Sequence, residues 1–418
     1  MGDPFMMVRI PLLKDYHNHP YLYAALAACL DISAVTRKQD ALSLIVERFA
    51  SDDFVMVIGW YDSSFTFAPD ELDHLPPLVV FNISLHAMFM NKAARERVAV
   101  RFPEVTDKYR KEGWLERNVP RVLGFILETK PCGADGLRSF YAGLARQGVW
   151  YAEEMTLQGE AEVEVFRESG LTGRSRFWAA RDVFATMNER ARLQVHGIKM
   201  FVDGAVGART AMLDSRYLCG GEGLMIWRSD ELRGHLQEVS DTGKALSIHA
   251  IGNVAIDLAL LVLEGMSDRR CAFPEIRLEH CQFISLEAAR KAKSMGVILC
   301  LQPNFSLDST CYADRLPEPY RLRNNPFRML IDQAGFIAGK DLLLGSDGMP
   351  HGARAALESA LFPPLESQRL TLEEFVAGYC MEDFRHGHID ASIDHEGRSL
   401  ETTVVLEAER DHVSPSHS

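Results

Sequence analysis

Short apolar runs alternate with longer amphipathic stretches over almost the whole chain, and no other feature restricts its fold so far. The runs include DDFVMVIGW, QGVWYAEEM, HGIKMFVDG, KALSIHAIG, IRLEHCQ, GVILCLQPN and DLLLGSDG. Each is rich in Val, Ile, Leu or aromatic residues and ends in polar residues or glycine, which is how a parallel strand covered on both faces reads. Between them lie helical patterns. SDELRGHLQEVSDTG opens at Ser229, Asp230 and Glu231 and closes at Gly243; SLEAARKAKSMG has Ser285 placed as N-cap and Gly296 as stop. Such repetition means βα units around a parallel sheet. With PLLKDYHNH counted first there are eight strand candidates, the number that closes a (β/α)8 barrel. An open doubly wound sheet would want a glycine-rich phosphate turn after its first strand, and DYHNHPYLYAAL has none.

The barrel is predicted over residues 8–390. Alternation breaks between Asp62 and Arg146, so 62–146 is expected to be an insertion after the second strand, packed over the barrel mouth. A chain of 418 residues suits one large barrel with insertions. Its net charge of −13 disfavours phosphate backbones and anionic lipid, so nucleic acid and membrane are not expected partners. Eight cysteines without a C-x-x-C pair read as reduced thiols in a cytoplasmic protein. The N-terminus lacks a basic segment followed by a long apolar one, so no signal peptide is expected. The most apolar helical run, AIDLALLVLEGM, contains Asp257 and Glu264 and is too short to span a bilayer.

The chemistry-bearing residues gather at predicted strand ends. In DYHNHP, side chains at i and i+2 of a strand share a face, so His17 and His19 form a pincer suited to a divalent metal. His249 in KALSIHAIGN, His280 in IRLEHCQF and Asp347 in LLLGSDG each end another strand. Barrel enzymes carry their catalytic groups at the strand C-termini. Nitrogen and oxygen donors in this mix suit Zn2+, and also Mn2+, Fe2+ or Ni2+. Lys199 in HGIKMFVDG falls in a strand core, where an amine is unfavourable unless paired or neutral. A neutral lysine beside two metals can take up CO2 as a bridging carbamate. The alternative is a lysine neutralised by Asp203, Glu153 or Glu154. Alternation turns one of Glu153 and Glu154 inward, as a ligand or as a core ion-pair partner. The glycine-rich loop DGAVGART carries Asp203 and Arg209, and Arg209 there is either a clamp for a substrate carboxylate or a surface arginine on a tight turn.

These motifs resemble the amidohydrolase superfamily, and in finer detail its YtcJ-like branch, which includes N-substituted formamide deformylases. The resemblance rests on H-x-H, SLHAMFMNKAARE with His86 and Asn91, IKMFVDGAVGARTAML, IHAIGNVAID, RLEHCQ, LQPN and GSDGMP, and covers residues 12–390. It implies a barrel with one or two divalent ions: His17, His19 and Asp347 on one, His249 and His280 on the other, Lys199 bridging. It also implies substrate contacts from His86, Arg209 and Asp203. Two departures stand out. Relatives carry a β-sandwich built from an N-terminal arm and the C-terminal tail, whereas here H-x-H arrives at residue 17, so the sandwich is expected to be missing or vestigial, with 391–418 as its remnant and a disordered tail. Asn253 stands where relatives commonly have Asp.

The predicted activity is hydrolysis of a C–N, amide-type bond of a small molecule by metal-activated water, with Asp347 moving the proton. His86 or Arg209 would help polarise the carbonyl, and His351 is the fallback shuttle. The rivals are a deaminase or other hydrolase on the same site, and a catalytically inactive metabolite-binding barrel. The partner expected is the small-molecule substrate, with a homodimer left open.

Overall fold

The computed structural model describes residues 5–407 except 69, 83–84, 86, 109–113, 115–117, 119–121, 123, 125–126, 129–130 and 349. His86, an expected substrate contact, lies outside the described residues, as does the predicted tail beyond 407. The strands in chain order are β1 (Phe5–Pro11), β2 (Leu13–Asn18), β3 (Leu30–Asp31), β4 (Val55–Trp60), β5 (Leu78–Asn82), β6 (Met88–Met90), β7 (Val149–Leu157) and β8 (Phe177–Ala180). They continue with β9 (Val195–Phe201), β10 (Ala245–Ala250), β11 (Ile276–His280), β12 (Ile298–Leu301), β13 (Leu342–Leu344), β14 (Gly387–Asp394) and β15 (Ser399–Leu406).

Eight of these form one parallel sheet in the order β2-β7-β8-β9-β10-β11-β12-β13, with helices packed outside: an α/β barrel of the TIM type. Every residue of β10 and β11 is buried, as expected of strands covered on both faces. The ends meet without a regular ladder. The Asp347 N–H donates to the His17 carbonyl at 2.7 Å, and the Ser346 N–H to the Asp15 carboxylate at 2.9 Å. Gly345 permits that approach, since a Cβ there would come within 2.5 Å of the His17 nitrogen. The outer helices follow their sequence signals: Ser285 caps Leu286–Ser294 by accepting from the Ala288 N–H, and Gly296 takes the left-handed conformation that ends it.

Two expectations about strand membership need correction. The run DDFVMVIGW is not the second barrel strand. It forms β4 of a separate sheet, β3-β4-β5-β6, with its own core of Ile32, Ile45, Val55, Val57 and Val80. The missing barrel member is β8, FWAA, only four residues long. The inserted region therefore lies between the first and second barrel strands, β2 and β7, and already includes β3 and β4 before residue 62. A buried parallel strand looks the same locally whichever sheet it joins.

The expected sandwich remnant is a three-stranded antiparallel sheet, β1-β14-β15, running from Phe5↔Asp394 to Pro11↔His388 in its first pair. It begins before residue 391, and residues 8–11 belong to it rather than to the barrel. Among the described residues, no helix is long and apolar enough to cross a membrane.

Candidate metal centre

Four histidines and one aspartate come together at the C-terminal mouth of the barrel. His17 is the penultimate residue of β2, and His19 follows the strand at the N-cap of the helix Pro20–Leu26. A register shift between Asp15 and Asn18 marks the strand's irregular end. Asp347 follows β13 with φ 56°, a left-handed conformation that is unfavourable for a non-glycine residue and common where a site dictates geometry. Its Oδ1 lies 3.2 Å from His19 Nε2 and 3.4 Å from His17 Nε2, a three-residue group able to hold a cation. The His280 ring lies 4.6 Å from that of His17 and 4.5 Å from that of His249, so the two expected ligand pairs form one continuous cluster.

Three of the imidazoles are fixed in tautomer by an acceptor on one ring nitrogen. His17 Nδ1 meets Glu279 Oε2 at 2.7 Å, His280 Nδ1 meets Gln302 Oε1 at 2.8 Å, and His249 Nε2 meets the Gly204 carbonyl at 3.0 Å. Each of these nitrogens must carry the proton, which makes His17 Nε2, His280 Nε2 and His249 Nδ1 the lone-pair nitrogens, as metal ligation requires. Burial also disfavours the charged form of His17 and, with His249 and His17 nearby, holds His280 well below the usual imidazole range. His19 differs. Burial works against its charge, but the hydrogen bonds to Asp347 and Glu154 outweigh that and push it up to about 9. In the absence of a metal, a proton joins His19 to Asp347.

Lys199 projects from β9 and is buried, and its Nζ has no hydrogen-bond partner among the described residues. Desolvation lowers its pKa, against the attraction of Glu279 and Asp347. The acids considered for neutralising it are engaged elsewhere. Glu153 accepts from Arg277 Nη1 at 2.9 Å and Trp178 Nε1 at 2.7 Å, which makes it a barrel-core ion-pair partner. Glu154 accepts the Tyr21 N–H at 2.8 Å and stands 3.8 Å from His19. Asp203 accepts the backbone N–H groups of Ile251, Met212 and Gly252, stitching the loop after β9 to the end of β10; burial pushes it up to about 7. An orphaned buried amine beside neutral imidazoles and a carboxylate fits a metal centre better than a closed structural core.

The sequence reading missed Glu279. Beside binding His17, it accepts from the Ser247 hydroxyl at 2.7 Å, and His17 and Lys199 overcome its burial to hold it down at about 2. Strict alternation would turn the neighbours Glu279 and His280 to opposite faces. The φ of 70° at His280 breaks that alternation, so both side chains reach the interior.

A cavity of about 480 Å³ opens above the cluster, floored by His249 and Asp347 and walled by Tyr61, Phe305, Asp308 and Tyr312 among others. Neither Asp203 nor Arg209 lines it; Arg209 faces Asp62 of the inserted region at 3.6 Å. His351 also lies off the cavity, its Nδ1 3.4 Å from Asn18 and its ring packed on Tyr23 and Phe140. Asn91 caps the helix Lys92–Ala99 and is a buried structural residue. Asn253 Oδ1 accepts from the Asp214 N–H and the Tyr320 hydroxyl, holding a loop at the rim.

The model of the amidohydrolase family matches residues 7–354. Bacillus subtilis (strain 168) YtcJ, named as an amidohydrolase, is 23% identical over 380 residues, covering 79% of this chain and 69% of that protein. Arabidopsis thaliana LONG AFTER FAR-RED 3 is 23% identical over 215 residues, covering 47% of this chain and 36% of that protein. An uncharacterized metal-dependent hydrolase of Pyrococcus furiosus superposes with a TM-score of 0.63 at 19% identity, over 88% of this chain and 80% of its own. One from Pyrococcus horikoshii OT3 superposes with 0.64 at 19% identity, over 85% and 74%. At these identities the superpositions speak for the barrel fold.

Proposed function

The chain belongs to the amidohydrolase family; from that premise we propose that it is a metal-dependent hydrolase acting on a C–N, amide-type bond of a small molecule. His17, His19 and Asp347 would hold one divalent ion and His249 and His280 a second, with Lys199 as a bridging carbamate. The nitrogen-rich donor set favours Zn2+. Such an ion supplies a Lewis acid that makes water a competent nucleophile near neutral pH.

The protein's own groups do the rest. Burial opposes the charge of Asp347, but in the metal-free protein the hydrogen bond from His19 holds the acid well below the usual carboxylate range; with a cation in place of that proton Asp347 would stay ionised. It therefore accepts the proton lost by water as the oxygen bonds to the acyl carbon, and returns it to the nitrogen as the C–N bond breaks. Glu279 keeps His17 in the ligand tautomer, and Gln302 does so for His280. The cavity wall above these groups is mostly apolar.

The observation that carries this reading is the set of three tautomer-fixed imidazoles converging with Asp347. The test loads purified protein with Zn2+ or Mn2+, measures metal content after dialysis, and assays N-acyl amines for release of carboxylate with the substituted amine. One to two ions per chain and amine release are expected. Ammonia as the nitrogen product, or a protein that takes up no metal, would overturn it.

A further inference from the structure

The cavity above the metal centre has a charge pattern that bond cleavage does not require. One wall is aromatic. The rings of Tyr61 and Tyr312 are parallel, 8° between planes with centroids 6.4 Å apart, and Phe305 stacks on His280. Set into this wall is Asp308, in the short turn Asp308–Cys311 after β12. One of its oxygens accepts from Gln282 Nε2 at 2.8 Å; no other side-chain hydrogen bond reaches the carboxylate among the described residues.

No lysine or arginine is found among the described residues that line the cavity. The two guanidinium groups nearby are turned elsewhere. Arg315 is buried behind the Tyr312 ring and donates to the Gly207 carbonyl and the Ser63 hydroxyl, with Asp62 and Asp314 as ion-pair partners. Arg209 faces Asp62. Asp347 has its charge met by His19, whereas Asp308 has no ion pair among the described residues and only the charge of Arg315, from behind Tyr312, acts on it. Burial pushes the Asp308 acid up to about 7, against the hydrogen bond from Gln282 and the charge of Arg315. An incoming positive group would recover that lost charge stabilisation, and the aromatic faces would add to it.

We infer that Asp308 is a specificity-determining residue, and that this cavity takes amides whose substituent is an apolar group bearing a positive charge. A substrate carboxylate in the same place would meet the Asp308 charge with no lysine or arginine lining the cavity among the described residues. The inference rests on the hydrolytic reading for the bond that is cut, and on the cavity alone for the charge preference.

The experiment uses three soluble amides of similar size. They are N-acetyl-2-(trimethylammonio)ethylamine, its uncharged carbon isostere N-(3,3-dimethylbutyl)acetamide, and N-acetyl-β-alanine. Binding to the metal-loaded protein and to its Asp308→Asn variant is measured by titration calorimetry, and amine release is followed separately. The cation should bind at least about tenfold tighter than its isostere, the scale of a desolvated cation on aromatic faces beside a carboxylate, and the acid weakest. Asp308→Asn should remove most of the cation's advantage, leaving the smaller part that the aromatic faces supply, while the isostere still binds, which reports an intact pocket. Equal affinities in the unmutated protein, a preference for the acid, a cation preference undiminished in Asp308→Asn, or no binding of any probe would overturn the inference. A cation preference without hydrolysis would sink only the hydrolytic reading; hydrolysis without the preference would sink only this one.

Discussion

The backbone N–H of Asp347 donates to the carbonyl of His17 at 2.7 Å, so the first and last strands of the barrel are joined through two residues of the candidate metal centre. Their side chains converge on the site while their main chains close the fold, and a substitution that spares the backbone can separate the two roles.

Asp347→Asn makes that separation. Asparagine keeps the size, the backbone bond and one acceptor oxygen but cannot take a proton. Turnover should fall by at least about 10²-fold, the usual scale for a lost general base. Metal content should persist on the four histidines, and KM should change little because the lost interaction belongs to the transition state. Steady-state kinetics with elemental analysis of the same samples would read this; near-normal kcat in the metal-loaded variant would assign the proton transfer to another group.

Gly345→Ala probes closure instead. A Cβ there would lie 2.5 Å from the His17 nitrogen and 2.7 Å from its Cβ, with backbone rather than a flexible chain end in the way. A loss of about 1–3 kcal/mol is expected from overpacking. It should appear as a lowered melting temperature together with weakened metal retention. A variant with unchanged melting temperature would mean that the strand ends part easily.

Glu279→Gln leaves an acceptor for His17 Nδ1, so the tautomer is kept, but removes the charge that makes the opposite ring nitrogen a stronger ligand. Metal affinity should drop by about 10–100-fold, the range for second-layer partners of ligating histidines. Competition with a chelator measures it. Unchanged affinity would reduce Glu279 to a packing residue.

The His19–Asp347 proton predicts the pH dependence of metal uptake. His19 is raised to about 9 in the metal-free protein, so its bond to Asp347 contributes stability fully below the unfolded value of about 6.5 and loses it as pH rises through about 9. A metal must displace that proton. Apparent affinity should therefore climb about tenfold per pH unit up to about 9 and then level. Calorimetry at pH 7.5 in two buffers of different ionisation enthalpy should find about one proton released for the first ion bound. Release of none would place the proton elsewhere.

The barrel was legible in the sequence because buried parallel strands leave unbroken apolar runs, and eight was the right number although one member was wrong. β4 and β8 were confused because both are buried, and FWAA is too short to show any period. The histidines and Asp347 were legible because strand ends are where a barrel keeps its chemistry. Glu279 was hidden because the left-handed residue beside it cannot be read from strand alternation. Asp203 and Arg209 looked like ligand contacts because the loop chemistry that stitches backbone together uses the same residue types as the chemistry that grips a substrate. The acidic wall residue Asp308 carried no signal at all, since its place in the cavity is set by long-range packing.

The join between His17 and Asp347 also sets a timetable. A ribosome delivers His17 long before Asp347, and contacts so distant in sequence close slowly. A nascent or truncated chain therefore presents H-x-H without its carboxylate, a weak and open chelator. The proposed coordination cage would come into being in the same event that seals the cylinder, so tight metal capture would be reserved for finished, folded molecules.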